Sequence, residues 1–220
     1  MDGSADLRTR LRAVVAHRME TDPAHDLAHL DRVWTNARAI ADDQTDMSVL
    51  LAASYLHDLV NLPKDDPDRH LASRRSAAES EPILKEIGFE ADQVRAIQHA
   101  IEAHSFSADI PPETIEACIL RDADRLDALG AIGIARNFSV SGALGRTLYH
   151  PADPFAQARP LDDLHFSLDH WKVKLLRLPG DMLTETGRRI AEQRTARMLR
   201  FLEEFADEIG CSLPQSWANC

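Results

Sequence analysis

Apolar residues recur with a period close to 3.6 along nearly the whole chain, the pattern of amphipathic helices. Leu7, Leu11, Val14 and Val15 form a first stripe, with Asp6 a candidate N-cap and Thr21-Asp22-Pro23 closing the helix. Leu27, Leu30, Val33, Trp34, Ala37 and Ile40 form a second. Met47 to Leu59 predicts a third helix, apolar on most faces and therefore central in the core. Asn61 to Asp68 holds two prolines and three aspartates and reads as a solvated loop. Ser76 to Ile87 predicts a helix with Gly88 just past its end. Val94, Ile97 and Ile101 predict a short helix that stops before Pro111-Pro112. Ile115, Cys118, Ile119, Leu126 and Leu129 continue the helical period, after which Gly130 and Gly133 permit a bend or a close approach. Gly142 to Pro160 is irregular and reads as a lid rather than a linker. His165 to Leu178 and Glu185 to Ile209 predict two closing helices, the second ended by Gly210. No alternating strand pattern or repeat is present. An all-α, single-domain helical bundle over residues 1–220 is the expectation.

Composition agrees with that pattern and narrows the function. Of the 220 residues 44% are hydrophobic and 28% charged, which excludes wholesale disorder, and nine glycines are few for a glycine-loop nucleotide fold. Basic residues number 25 against 36 acidic, a formal net charge of -11, so no stable nucleic-acid complex is expected. A phosphate substrate would need a metal or a local group of cations to reverse that field. Three cysteines without a C-x-x-C indicate neither a disulfide framework nor a thiolate zinc site. No apolar run approaches the ~20 residues of a membrane span, and Met1 to Arg12 is too charged for a signal peptide. A cytoplasmic monomer or homodimer, away from membranes, is expected.

The chemistry is signalled by polar residues where an apolar helix should not have them. His57-Asp58 directly follows Leu50-Leu51-Ala52-Ala53-Ser54-Tyr55-Leu56. A buried aspartate there costs several kcal/mol unless paired or metal-bound. The two side chains diverge by about 100° on a helix, yet both can reach one ion lying off the helix end. His29 sits beside the Leu30-Val33-Ala37 stripe, and Asp124 lies in Arg121-Asp122-Ala123-Asp124-Arg125. Two imidazoles and two carboxylates suit Mn²⁺, Fe²⁺, Co²⁺ or Mg²⁺ better than a closed zinc site.

An isolated His, a His-Asp pair after an apolar helix and a distant helical Asp resemble the HD-domain superfamily of metal-dependent phosphohydrolases, most of all its small bacterial YedJ/YpgQ-type members. The resemblance is carried by His25-Asp26-Leu27-Ala28-His29, Ala53 to Asp58, His104-Ser105-Phe106-Ser107, Asp122 to Arg136 and Leu161 to Pro179, and spans residues 20 to about 205. It implies an all-helical fold of the HD-domain type. It also implies His29, His57, Asp58 and Asp124 as ligands of a divalent ion, Mn²⁺ foremost, with Fe²⁺, Co²⁺, Mg²⁺ or Ni²⁺ as alternatives. Asp122 flanks Asp124 about 200° round the helix, so the two cannot serve one ion together. The glutamate that follows His-Asp in the nucleotidase and ppGpp hydrolase members is replaced here by Leu59-Val60-Asn61-Leu62. His70, His99 and His104 are spaced unlike the extra ligands of dinuclear members, so one ion is expected.

The implied reaction is hydrolysis of a nucleotide by a metal-bound water, a (deoxy)nucleoside triphosphate going to monophosphate and pyrophosphate. Asp58, His104 and Lys64 are the candidate catalytic groups. Arg125, His170, Lys174, Arg32 and His25 are the candidate phosphate contacts; two of only four lysines fall in His170-Trp171-Lys172-Val173-Lys174. Among the indoles, Trp171 is the best candidate for stacking on a base. Each has a plainer reading: His25 and Asp26 as helix-start residues, His99 as structural, Arg125 and Lys174 as solvated charges. The rival functions are hydrolysis of another phosphate ester, by a phosphodiesterase or phosphatase, and a catalytically silent nucleotide-binding module.

Overall fold

A computed structural model describes residues 3–18, 26–62 and 66–218. The expected helical class is the class observed. Among the described residues the only strand-like pairing is an isolated bridge between Thr147 and Phe166, and no helix is long and apolar enough to cross a membrane. Contacts gather the chain into two compact units, Met1–Asp124 and Arg125–Cys220.

In the first unit α3 (Met47–Leu56) is the central element, buried at every position from Val49 to Leu56. α1 (Gly3–Arg18), α2 (Leu27–Ile40) and α5 (Ala91–His104) pack on it, and α4 (Ala72–Ile87) packs on α5. Burial of Leu30, Val33, Leu50, Leu51, Leu56, Ile97 and Ile101 supplies the drive, at about 1.5–3 kcal/mol for each fully buried side chain. Tyr55 leaves this core at one point, where its hydroxyl donates to Asp31 at 2.6 Å. The Asp46 carboxylate caps α3 by accepting from the Ser48 and Val49 amides. α3 ends three residues earlier than its period predicts. The His57 ring Nδ1 bonds the Ser54 carbonyl at 3.0 Å, claiming the acceptor that the next helical turn would need.

Other boundaries moved similarly. Asp6 lies in the first turn of α1 rather than capping it, and Thr21-Asp22-Pro23 lies outside the described residues. α4 starts at Ala72 and ends as expected, on Gly88 at φ +100°. α5 extends both ways, to a capping box at Glu90/Gln93 and to His104. α6 (Ile115–Leu126) closes the first unit.

In the second unit α7 (Gly130–Ala143) packs on α9 (Glu185–Glu208) and on α8 (Ser167–Val173). Gly130 has φ +70°, and a Cβ at Gly133 would lie 2.2 Å from the Ala128 carbonyl oxygen, so both glycines are required where they stand. The predicted helix over His165–Leu178 is two pieces, α8 and a 3₁₀ segment Leu175–Asp181, broken at Lys174. Residues 142–166 are non-helical beyond Ala143 and are held at several points. The Arg159 guanidinium forks onto the buried Asp169 carboxylate, at 2.8 Å for one of the two bonds. Asp153 accepts from the Gln157 and Ala158 amides, and the Trp217 indole of the short α10 (Gln215–Ala218) donates to the Phe155 carbonyl at 2.9 Å.

Candidate metal centre

Four segments of the first unit bring five side chains together. α2 contributes His29. Its N-cap is Asp26, whose carboxylate accepts from the His29 amide at 2.8 Å, so the plain helix-start reading of Asp26 holds. The turn after α3 contributes His57 and Asp58, the end of α5 His104, and α6 Asp124. His29 Nε2 lies 3.7 Å from Asp58 and 3.5 Å from Asp124, while His57 Nε2 lies 3.4 Å and His104 Nε2 3.6 Å from Asp58. The rings of His29 and His57 are 5.6 Å apart, those of His57 and His104 4.8 Å.

These separations exceed a good hydrogen bond. They fall within the about 4.2 Å that two donors at ~2.1 Å from a common ion can span. Two ligand-like triplets result, His29/His57/Asp124 and His57/Asp58/His104, sharing His57. His57 is fully buried, and its Nε2 has no hydrogen-bond partner. A buried nitrogen left in that state is costly unless something else occupies its lone pair. Because Nδ1 carries the proton toward Ser54, Nε2 presents a lone pair to the cluster, the tautomer a metal ligand requires. Two carboxylates would balance the charge of one divalent ion, so the donor set fits such an ion.

Electrostatics keep the set in its ligating form. Burial pushes His57 down to about 4, against the opposing pull of Asp58, so the ring is neutral near pH 7. Burial alone would raise Asp58 and Asp124. The neighbouring imidazoles overcome it and hold both carboxyls low, Asp58 well below the usual carboxylate range. Their side chains stay 20% and 33% exposed, open to an incoming ligand. For His104 burial works against protonation, but the Asp58 carboxylate facing its Nε2 more than compensates and raises it. Its Nδ1 is fixed on the Ile101 carbonyl at 2.6 Å.

Of the two aspartates on α6, Asp124 joins the cluster, and Asp122 is fully buried outside the two triplets. Asn36, buried on α2, donates to the Ala123 carbonyl at 3.0 Å and so ties that helix to α6 one residue before Asp124. The other end of α6 is tied where Glu116 accepts the Asp46 amide at 2.9 Å. His104 joins the ligand candidates, a placement its sequence spacing did not suggest. The available signal was its position on the buried Val94-Ile97-Ile101 stripe, where an imidazole needs a reason. His99 is structural, its Nε2 accepting the Glu113 amide.

The remaining candidates lie as follows. Arg32 is half-buried on α2, three residues from His29. Lys64 and His25 fall outside the described residues. Arg125, His170 and Lys174 belong to the second unit. There Arg125 is nearly buried and donates through one guanidinium nitrogen to the Asp181 carbonyl at 3.0 Å. His170 pairs with Asp163 at 2.9 Å, and Lys174 is exposed at the break after α8. Trp171 is overturned as a stacking surface: it is fully buried, stacked on Phe201 at 5.7 Å.

The family model described as HD domain matches residues 26–129, the span that holds all five cluster residues. The Bacillus subtilis protein YpgQ is 31% identical over 208 residues, 92% of this chain and 92% of that one. Its crystal structure in complex with ADP superposes with a TM-score of 0.74 at 30% identity, covering 94% of this chain and 97% of that one. An HD-superfamily hydrolase from Bacillus thuringiensis gives a TM-score of 0.72 at 30% identity, covering 93% and 97%.

Proposed function

Because the chain belongs to the HD-domain family of metal-dependent hydrolases, we propose that it is a nucleotide pyrophosphohydrolase, cutting a (deoxy)nucleoside triphosphate to the monophosphate and pyrophosphate. The observation that carries the reading is the convergence of His29, His57, Asp58 and Asp124 around the unpartnered His57 Nε2. The ADP bound by the similar YpgQ supports a nucleotide as ligand.

His29, His57, Asp58 and Asp124 hold one divalent ion, Mn²⁺ in our reading. When bound, such an ion supplies a water activated near neutral pH and polarises a phosphoryl oxygen. The chain's own groups do the rest. Ser54 fixes the His57 tautomer, and Asn36 fixes the approach of Asp124. A protonated His104 would present its Nε2 proton beside Asp58, with Nδ1 fixed on the Ile101 carbonyl. His104 is thus placed to donate that proton to the departing phosphate oxygen. Arg32, and Lys64 in the segment after Asp58, neutralise the equatorial phosphoryl oxygens.

The test is turnover of the metal-stripped chain with dNTPs after adding back Mn²⁺, Co²⁺, Fe²⁺ or Mg²⁺, with products identified by mass. Pyrophosphate plus monophosphate is the expected result. Orthophosphate would make it a phosphatase, and no turnover of any phosphate ester despite stoichiometric metal would leave a binding module.

A further inference from the structure

We infer that Phe106 is the nucleobase platform of this site, an exposed ring at the rim of the cluster on which the base of the bound nucleotide stacks. This rests on the reading of the site as a nucleotide site and adds what the cluster lacks, since its five side chains address an ion and phosphate but nothing beyond them.

The other aromatic residues of the described chain are largely committed. Trp34, Tyr55, Phe155, Trp171 and Trp217 are buried, and Phe138, Tyr149, Phe166, Phe201 and Phe205 lie against other rings. Phe106 is 84% exposed, the highest value among the exposed large apolar side chains. Its ring therefore keeps a face that no neighbouring side chain covers.

Phe106 follows His104 by two residues, so their Cα atoms are at most about 7 Å apart. A nucleotide whose phosphates meet the cluster carries its base over such a distance. The backbone under the ring is braced. Phe106–Ala108 forms a 3₁₀ turn that packs on the 3₁₀ turn Arg69–Leu71, and Asp109 reverses the chain at φ +51°. Ser105 and Ser107, on either side of Phe106 in the chain, have exposed hydroxyls 3.1 Å apart, polar groups suited to a sugar or a base edge. A single aromatic face stacks on any base and best on the larger ones. Broad base tolerance with a preference for purines follows.

The experiment compares wild type, Phe106→Ala and Phe106→Tyr in calorimetric binding of two probes with Mn²⁺: α,β-imido-dATP, which has a base, and inorganic tripolyphosphate, which has none. Removing an exposed ring leaves the melting temperature unchanged. The expected result is a loss of roughly tenfold in affinity for the dATP analogue in Phe106→Ala, recovery in Phe106→Tyr, and no change for tripolyphosphate. Unchanged analogue affinity in Phe106→Ala, an equal loss on both probes, or a wild type that binds both equally would overturn the platform. So would a change in sedimentation alone, which would assign the ring to a contact between copies. Phe106-dependent binding in a chain that turns over no nucleotide would uphold the platform and unseat only the hydrolase reading.

Discussion

The buried Asn36 amide donates to the Ala123 carbonyl at 3.0 Å, seven residues after His29 on α2 and one residue before Asp124 on α6. Seven residues is close to two helical turns, so Asn36 and His29 share a face. One side-chain bond therefore ties together the two helices that carry His29 and Asp124. Asn36→Leu is expected to weaken Mn²⁺ binding by about 10- to 100-fold, the usual range for a group that supports a ligand. It is also expected to lower the melting temperature, because the Ala123 carbonyl loses a buried donor. Calorimetric titration beside a thermal melt checks both, and unchanged affinity would refute that role.

His57→Gln and Asp58→Asn are expected to abolish metal retention while leaving the far-ultraviolet circular dichroism unchanged. The apolar residues of the first unit are buried without help from the ion. Metal content by mass spectrometry and helicity at 222 nm are the two readouts. Unfolding of the wild type on EDTA treatment would contradict this.

The metal-free chain should lose stability as pH falls from 6.5 toward about 4, because the unfolded His57 takes a proton in that window and the folded, buried one does not. His104, raised in the fold, shows the opposite sign. Its contribution is complete below 6.5 and is lost only as pH rises through its folded value, so it does not cancel the fall. Asp58 and Asp124, held low, begin to cost stability only below 3.8. Melting temperatures in EDTA between pH 7.5 and 4 measure the slope, and a flat profile would mean that His57 is not buried neutral.

His104→Gln separates an acid from a ligand. As the acid, the variant keeps about one ion per chain and loses roughly 10²- to 10⁴-fold in kcat. A fall in stoichiometry or a large loss of metal affinity would make His104 a ligand instead.

Gly133→Ala is expected to lower the melting temperature by several degrees, since its Cβ would lie 2.2 Å from the Ala128 carbonyl oxygen and the backbone must shift. Strain of about 1–3 kcal/mol is typical of overpacking. Gly180→Ala, where nothing lies within 4 Å, serves as the control that should not move.

Much of this was legible in the chain, for physical reasons. α2 was bounded by a capping aspartate and a clear apolar stripe, and α3 was so apolar that only a central place suited it. His57-Asp58 stood out as polar residues at the end of that run. What local pattern could not give was which helix ends would meet. His104 continues the α5 stripe as an apolar residue would, and only the packing of α5 on α3 brings it to Asp58. The break at Lys174 was hidden because Trp171, Leu175 and Leu178 keep a helical period through it. Periodicity marked Trp171 as a large ring near charged residues but not that Phe201 already covers it.

All five cluster residues precede Arg125, the residue that opens the second compact unit. The whole candidate ligand set is thus encoded in one contiguous stretch of the polypeptide. The ninety-odd positions from Arg125 onward can therefore change without replacing any of the five cluster side chains.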